Sequence, residues 1–159
     1  MKSIFSVGFG SLNREERLRT YLKEDYIVAV ILSAAHFEWT LKRSILKLSK
    51  GPTVKLKRSL EETHRLFGPS DKNNLQAIWA KEVGKIYKNA SLGTVLSNLA
   101  EIRDKSRKTR GYLVHGNGLS KRREAESAVC QYLLACHNLR NFVAKQGQDL
   151  DARLQGRIG

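Results

Sequence analysis

The sequence predicts an all-α fold, a single bundle of about five to six helices, on three observations. Apolar residues recur at helical spacing along most of the chain, and no window sustains the alternation of a half-buried strand. Only two prolines occur, Pro52 and Pro69, and both fall between periodic segments. One segment, 25–49, is apolar on nearly every side, which marks the central member of a bundle. At 159 residues the chain is long enough to bury a core without staples. The expected organisation is an N-terminal segment over 1–12, a helical bundle over 13–146 and a flexible tail over 147–159.

The first helix is expected from an Asn13 N-cap to about Lys23, with Glu15 and Glu16 in its first turn favouring the positive helix end. The second, from about Asp25 to Ser49, carries Ile27, Val28, Ile31, Phe37, Trp39, Leu41 and Ile45, and Lys50-Gly51-Pro52 stops it. A shorter amphipathic helix fits Thr53 to Phe67, closed by Gly68-Pro69. Ser70 or Asp71 would cap the next, whose core face is Leu75, Ile78, Trp79, Val83, Ile86 and Tyr87. A further helix starts near Ser91 and runs through Leu96, Leu99 and Ile102 into a basic stretch. After a turn at Gly116-Asn117-Gly118, a last long helix runs from about Ser120 to Lys145. The tail beyond it is polar and expected to fray.

The 29 Lys and Arg against 15 Asp and Glu give a formal charge of +14, more than solubility needs. Such an excess attracts polyanions, and nucleic acid and an anionic membrane are the two physical candidates. The most apolar stretch, Tyr26 to Leu48, includes Glu38, Lys42, Arg43 and Lys47, so no membrane span is expected. Met1 to Gly10 is too short for a signal-peptide core. Cys130 and Cys136 lie on one expected helix about 120° apart around its axis, so they can neither bond to each other nor chelate together. They read as two buried thiols in a reducing, cytoplasmic compartment. His137 follows Cys136 without a ligand set of matching spacing, so no metal and no cofactor is expected.

The chemistry-bearing segment is Arg110-Gly-Tyr-Leu-Val-His115. Histidine can take and give a proton near neutral pH, and arginine is a permanent cation whose planar fork fits phosphate oxygens. The pair could move a proton and stabilise a phosphoryl transition state, or be a surface cation and an ordinary helix histidine. Five positions on a regular helix amount to about 140° of rotation. Either Gly111 lets the backbone leave the helix there, or a second copy of the chain supplies the complement.

Arg103, Arg107 and Arg110 share one helix face, with Lys105 and Lys108 flanking, and Lys121, Arg122 and Arg123 follow the turn. These are either a solvated face or a groove for a nucleic-acid backbone. Glu38, inside the apolar helix, fits an i,i+4 pair with Lys42 or a carboxylate that orients Arg110 or His115. His36 reads as a core or interface histidine, and His64 as exposed.

The Arg110-to-His115 segment with Gly116 resembles the R-x4-6-H motif of HEPN domains, an α-helical family. The similarity extends over roughly residues 25 to 145, including Ala34-Ala35-His36-Phe37-Glu38 and the helices flanking the motif. The resemblance implies a metal-independent endoribonuclease acting as a homodimer, with the two motifs meeting across the interface. Arg110 and His115 would be catalytic, and Glu38 and Asn117 would support them. Arg103, Arg107, Lys108, Lys121, Arg122 and Arg123 would hold RNA. Cleavage would leave 2′,3′-cyclic phosphate ends. Many members act in bacterial defence and toxin–antitoxin pairs, so an antitoxin or other acidic protein is an implied partner. The chain departs from the pattern at Gly111, often polar in the family, and at Asn117, where some toxin members carry tyrosine. Inactive scaffolding members exist, and a catalytically silent interaction module is the competing class. An architectural DNA-binding protein is disfavoured, because no compact helix-turn-helix signal is present.

Overall fold

The computed structural model describes residues 11–68, 73–115, 121–152 and 154, with the backbone alone at 11, 12, 110 and 112–115. Seven α-helices and one π turn make up the regular structure of the described residues, one or two helices more than expected, with no strand among them. They are α1 Ser11–Glu24, α2 Tyr26–Leu48, α3 Val54–Glu62, α4 Leu75–Trp79, α5 Leu92–Val95, α6 Leu99–His115 and α7 Arg122–Lys145. The π turn, Ala80–Gly84, continues α4.

Helix α2 is the axis of the bundle. Asp25 caps it, with Oδ1 accepting the Ile27 and Val28 N–H groups at 3.1 and 3.2 Å, a contribution of about 1 kcal/mol. Gly51 turns the chain beyond its end at φ 105°, a backbone that side chains with a Cβ resist. Phe37, Leu41, Ile45 and Leu48 of α2 are buried in one core with Val129, Tyr132, Cys136, Leu139 and Val143 of α7. Fully burying such side chains is worth about 1.5–3 kcal/mol each. Trp79 anchors the far side: its Nε1–H donates to Ala90 O at 2.7 Å, and its ring meets Phe142 of α7 at 6.1 Å.

Several expected boundaries are corrected. Asn13 lies inside α1, which begins at Ser11, so Glu15 is no first-turn acid but a buried side chain facing α2 and α7. Helix α3 stops at Glu62 instead of Phe67. Over the segment that follows, Arg65 O and Leu66 O accept the Leu75 and Gln76 N–H groups, so these carbonyls serve the next helix rather than their own. The next helix is capped by Asn74, whose side chain accepts the Ala77 N–H at 2.9 Å; Ser70 and Asp71 lie outside the described residues. The helix expected from Ser91 through the basic stretch is broken between α5 and α6. Asn98 is buried there and donates to Gln131 O and Gln131 Oε1 at 2.9 and 2.8 Å, exchanging helix continuity for attachment to α7. Helix α7 begins at Arg122, and the turn expected at 116–118 lies outside the described residues.

Where it is described, the tail packs against the bundle. Leu150 is buried in the core, and Arg43 of α2 donates to Leu150 O at 3.0 Å and Ala152 O at 2.6 Å. Cys136 is buried but Cys130 is exposed, because the rotation that separates the two thiols leaves only one facing α2.

Glu15 ties α1 to α2 and α7. Arg140 Nη2 donates to its Oε1 at 2.9 Å, and His36 Nε2 lies 3.5 Å from the same oxygen. Burial alone would raise the Glu15 pKa, but the hydrogen bonds from His36 and Arg140 and the charge on Arg140 outweigh it and hold the group below its ordinary value. A depressed carboxylate pKa contributes stability above the unfolded-state pKa of about 4.3 and loses it as pH falls through the folded-state value. Glu15→Ala should therefore lower stability at pH 7 by about 3 kcal/mol, the low end for breaking a buried pair. Urea unfolding at descending pH should show that deficit shrinking below about pH 4; an equal deficit at pH 3 and pH 7 would mean that the ionised carboxylate is not the source. Arg43→Ala should release the tail, read as faster amide exchange at Leu150 and Asp151 with the exchange of α7 unchanged.

Candidate nucleic-acid interface

An open cleft of about 820 Å³ lies between α2, the 63–68 segment and α6. Its α2 wall is Ile31, Ala34, Ala35 and Glu38, one face of the helix at successive turns. Its α6 wall is Arg103, Ser106, Arg107, Thr109 and Gly111, and Leu66 and Phe67 close the side. Tyr132 of α7 reaches the cleft from the core, and its ring packs on Phe37 at 5.9 Å. The Tyr132 hydroxyl pairs with Thr109 Oγ1 at 3.3 Å and Ser106 Oγ at 3.4 Å. Burial raises its pKa, the two hydrogen bonds opposing only in part. Asn98, just before α6, and Thr109 within it bond to neighbouring residues of α7, Gln131 and the Tyr132 hydroxyl, so α6 is tied to α7 at two points.

The expected residues fall into three groups. Arg103, Arg107 and Glu38 come together on this cleft. The Arg103 guanidinium lies 5.0 Å from the centre of the Phe67 ring, a cation–π arrangement worth about 0.5–1 kcal/mol when exposed. Arg107 Nη2 and Lys108 Nζ both reach the Asp104 carboxylate, at 3.1 and 3.0 Å. The Lys108 hydrogen bond is the main cause that lowers the Asp104 pKa, burial opposes it, and the Arg107 hydrogen bond adds to the lowering. Part of the cationic run is thus screened by its own acid. Glu38 makes the expected pair with Lys42, Oε1 to Nζ 2.6 Å, and His64 Nδ1 stands 3.6 Å from the same oxygen. His64 is exposed and His36 buried, as expected.

The second group is at the other cluster. Lys121, Arg122 and Arg123 are exposed at the start of α7. Arg122 donates to Leu22 O at 3.2 Å and lies 5.4 Å from the Tyr26 ring. That places it at the α2 N-terminus, about 8 Å along the axis from Ile31 at the cleft. The third group is the motif. Positions 110 and 115 lie on α6, which runs unbroken to His115. Gly111 therefore does not take the chain out of the helix, and the two positions keep the angular separation of a regular helix. Their side chains, and Asn117, lie outside the described residues.

The sequence reading missed Phe67 and Tyr132 as cleft residues. Both carry only the helical-period signal of a core position, and the cleft they line exists only once α6 lies beside α2.

A second polar cluster is fully internal. Glu15, His36 and Cys136 bring an oxygen, a nitrogen and a sulfur within 4.8 Å of one another. Burial pushes the Cys136 thiol up to about 12, and Arg140 already neutralises Glu15. A protonated thiol and a carboxylate held by a guanidinium suit a hydrogen-bonded core better than a bound cation. No helix among the described residues is long and apolar enough to cross a membrane.

Comparisons with family models, with curated proteins and with solved structures give no match to this chain.

Proposed function

We propose that the chain is an RNA-binding domain that cleaves RNA without a metal, of the HEPN type suggested by Arg110 and His115, with its site completed in a homodimer. One observation carries the reading. Helix α6 lays Arg103 and Arg107 along an open cleft and continues without a break through positions 110 and 115. A single rigid element thus joins a cationic groove to the residues suited to phosphoryl chemistry. Arginine is favoured where phosphates are gripped in bidentate fashion, and the +14 charge draws polyanions to the surface.

In the proposed reaction, neutral His115 takes the proton of a ribose 2′-hydroxyl, and the 2′-oxygen bonds to the adjacent phosphorus. Arg110 stabilises the added negative charge of the phosphorane. The bond from phosphorus to the 5′-oxygen then breaks, and protonated His115 of the second copy gives its proton to that oxygen. The products are a 2′,3′-cyclic phosphate and a 5′-hydroxyl. The angular separation of positions 110 and 115 on one continuous helix favours this division between two copies.

A second reading, a catalytically silent module that binds an acidic protein, is favoured by one observation. Asp104 already screens Arg107 and Lys108, and Arg122 is turned onto Leu22 O and the Tyr26 ring. A basic surface organised in this way could serve an acidic partner without any chemistry.

Incubation with mixed RNA in EDTA separates the two. The expected result is fragments with cyclic phosphate ends and a two-fold dimer by light scattering. His115→Ala and Arg110→Ala should each lower the rate by about 10²-fold or more, with Tm nearly unchanged. The double variant should be little worse than the worse single one, because both groups act on one step. RNA left whole by nuclease-free wild-type protein would end the catalytic reading and leave the interaction module.

A further inference from the structure

The cleft beside α6 has features that phosphate binding alone does not need. A groove that only tracks a backbone requires cations; this one also carries an apolar wall, an aromatic ring and a carboxylate. Ile31, Ala34 and Ala35 leave apolar surface open at its α2 side, although α2 is otherwise the most deeply covered helix. Phe67 closes the side, with the Arg103 guanidinium 5.0 Å from the centre of its ring. Glu38 also lines the cleft, its side chain one-third exposed and paired with Lys42 at 2.6 Å. The volume, about 820 Å³, lies in the range of sites that enclose a small organic ligand. A carboxylate is an odd lining for a groove meant to attract phosphate, since it repels the backbone it faces.

These features are reconciled if the cleft receives a base rather than only a backbone. We infer that it holds one unstacked guanine of a single-stranded RNA, with the ring against Phe67 and the Ala34–Ala35 wall and its amino edge on Glu38. This rests on the RNA-binding reading and adds a sequence preference to it. Guanine is the base whose Watson–Crick edge offers two adjacent donors, N1–H and the N2 amino group, one for each oxygen of a carboxylate. Cytosine and adenine each present one amino group beside an unprotonated ring nitrogen, which a carboxylate repels. Uracil presents one N–H between two carbonyls.

Lys42 holds the carboxylate in place, while His64, exposed and 3.6 Å from the same oxygen, gives way to the base. Arg103 and Arg107, on the opposite wall, take the phosphates on either side of the bound nucleotide. Bases stacked on aromatic side chains and cations along the backbone are the usual means of holding single strands. Carboxylate recognition of the edge supplies the selectivity that stacking lacks.

The test uses the full chain and four labelled pentanucleotides, UUGUU, UUAUU, UUCUU and UUUUU, 2′-O-methylated so that they are not cut. Fluorescence anisotropy at low salt should show UUGUU bound about tenfold tighter than the other three, the scale of a charge-assisted hydrogen-bond pair. Glu38→Gln keeps the size of the side chain but replaces one acceptor with a donor, and should erase that preference while UUUUU binding holds or improves. Phe67→Ala should weaken all four by about tenfold through lost stacking. Melting curves of both variants confirm that they fold. Equal binding of all four by wild type overturns the guanine cleft and leaves the RNA reading standing. A preference that survives Glu38→Gln overturns the role of Glu38. Failure to bind any of the four removes the RNA reading and the cleft proposal with it.

Discussion

Helix α2 is apolar over an arc too wide for any one neighbour to cover, and the rest of the bundle is arranged to solve that problem. Helix α7 covers one face through Tyr132, Cys136, Leu139 and Val143, α1 covers another through Leu18, and Trp79 with its π turn closes a third. The remaining stretch, Ile31 to Glu38, faces α6 across an open gap, with α6 held to α7 through the Tyr132 hydroxyl. The cleft is the consequence. It is a place where, among the described residues, the covering of the central helix is incomplete.

Tyr132 joins the two sides of that arrangement. Its ring belongs to the core against Phe37, and its hydroxyl fixes Ser106 and Thr109 on the helix that carries Arg103 and Arg107. A phenylalanine would fill the same space and leave α6 without its polar attachment. The position of the arginines on the cleft is therefore set from inside the core. The same logic operates at the other polar junction, where Glu15, His36 and Arg140 tie α1 to α2 and α7. Both junctions are polar groups placed at contacts between helices, where directional bonds specify how apolar faces meet.

Much of this was legible in the sequence, and the reasons differ by element. Helix α2 was legible because its signals are local: Asp25 to cap it, Gly51-Pro52 to stop it, and a dense apolar period between. The Glu38–Lys42 pair followed from i,i+4 spacing, and the shared face of Arg103 and Arg107 from the same rule. The misplaced ends share one cause, a tertiary contact that overrides local preference. The carbonyls at 65 and 66 leave α3 to serve α4, Asn98 gives up helix continuity for α7, and Arg43 draws down a tail that composition alone reads as loose. Glu15 fits a first-turn acid equally well until the burial of its carboxylate is known. The cleft was half legible. Its charges follow from spacing along one helix, whereas Phe67 and Tyr132 enter through tertiary packing that no periodicity encodes.

The continuity of α6 bears on how the Arg110–His115 segment could act. Had Gly111 broken the helix, the two positions could have been turned toward each other within one chain. The helix runs through to His115, so a regular backbone keeps them about 140° apart. A site that gathers these groups on one phosphate would then be completed by a second copy, and the cleft gives that reading its physical sense. Arg103 and Arg107 would hold a strand along one copy's α6, leading it toward positions that the other copy must complete. Binding and chemistry would then be separable. A single chain would grip RNA through the cleft, and only the assembled pair would cut it.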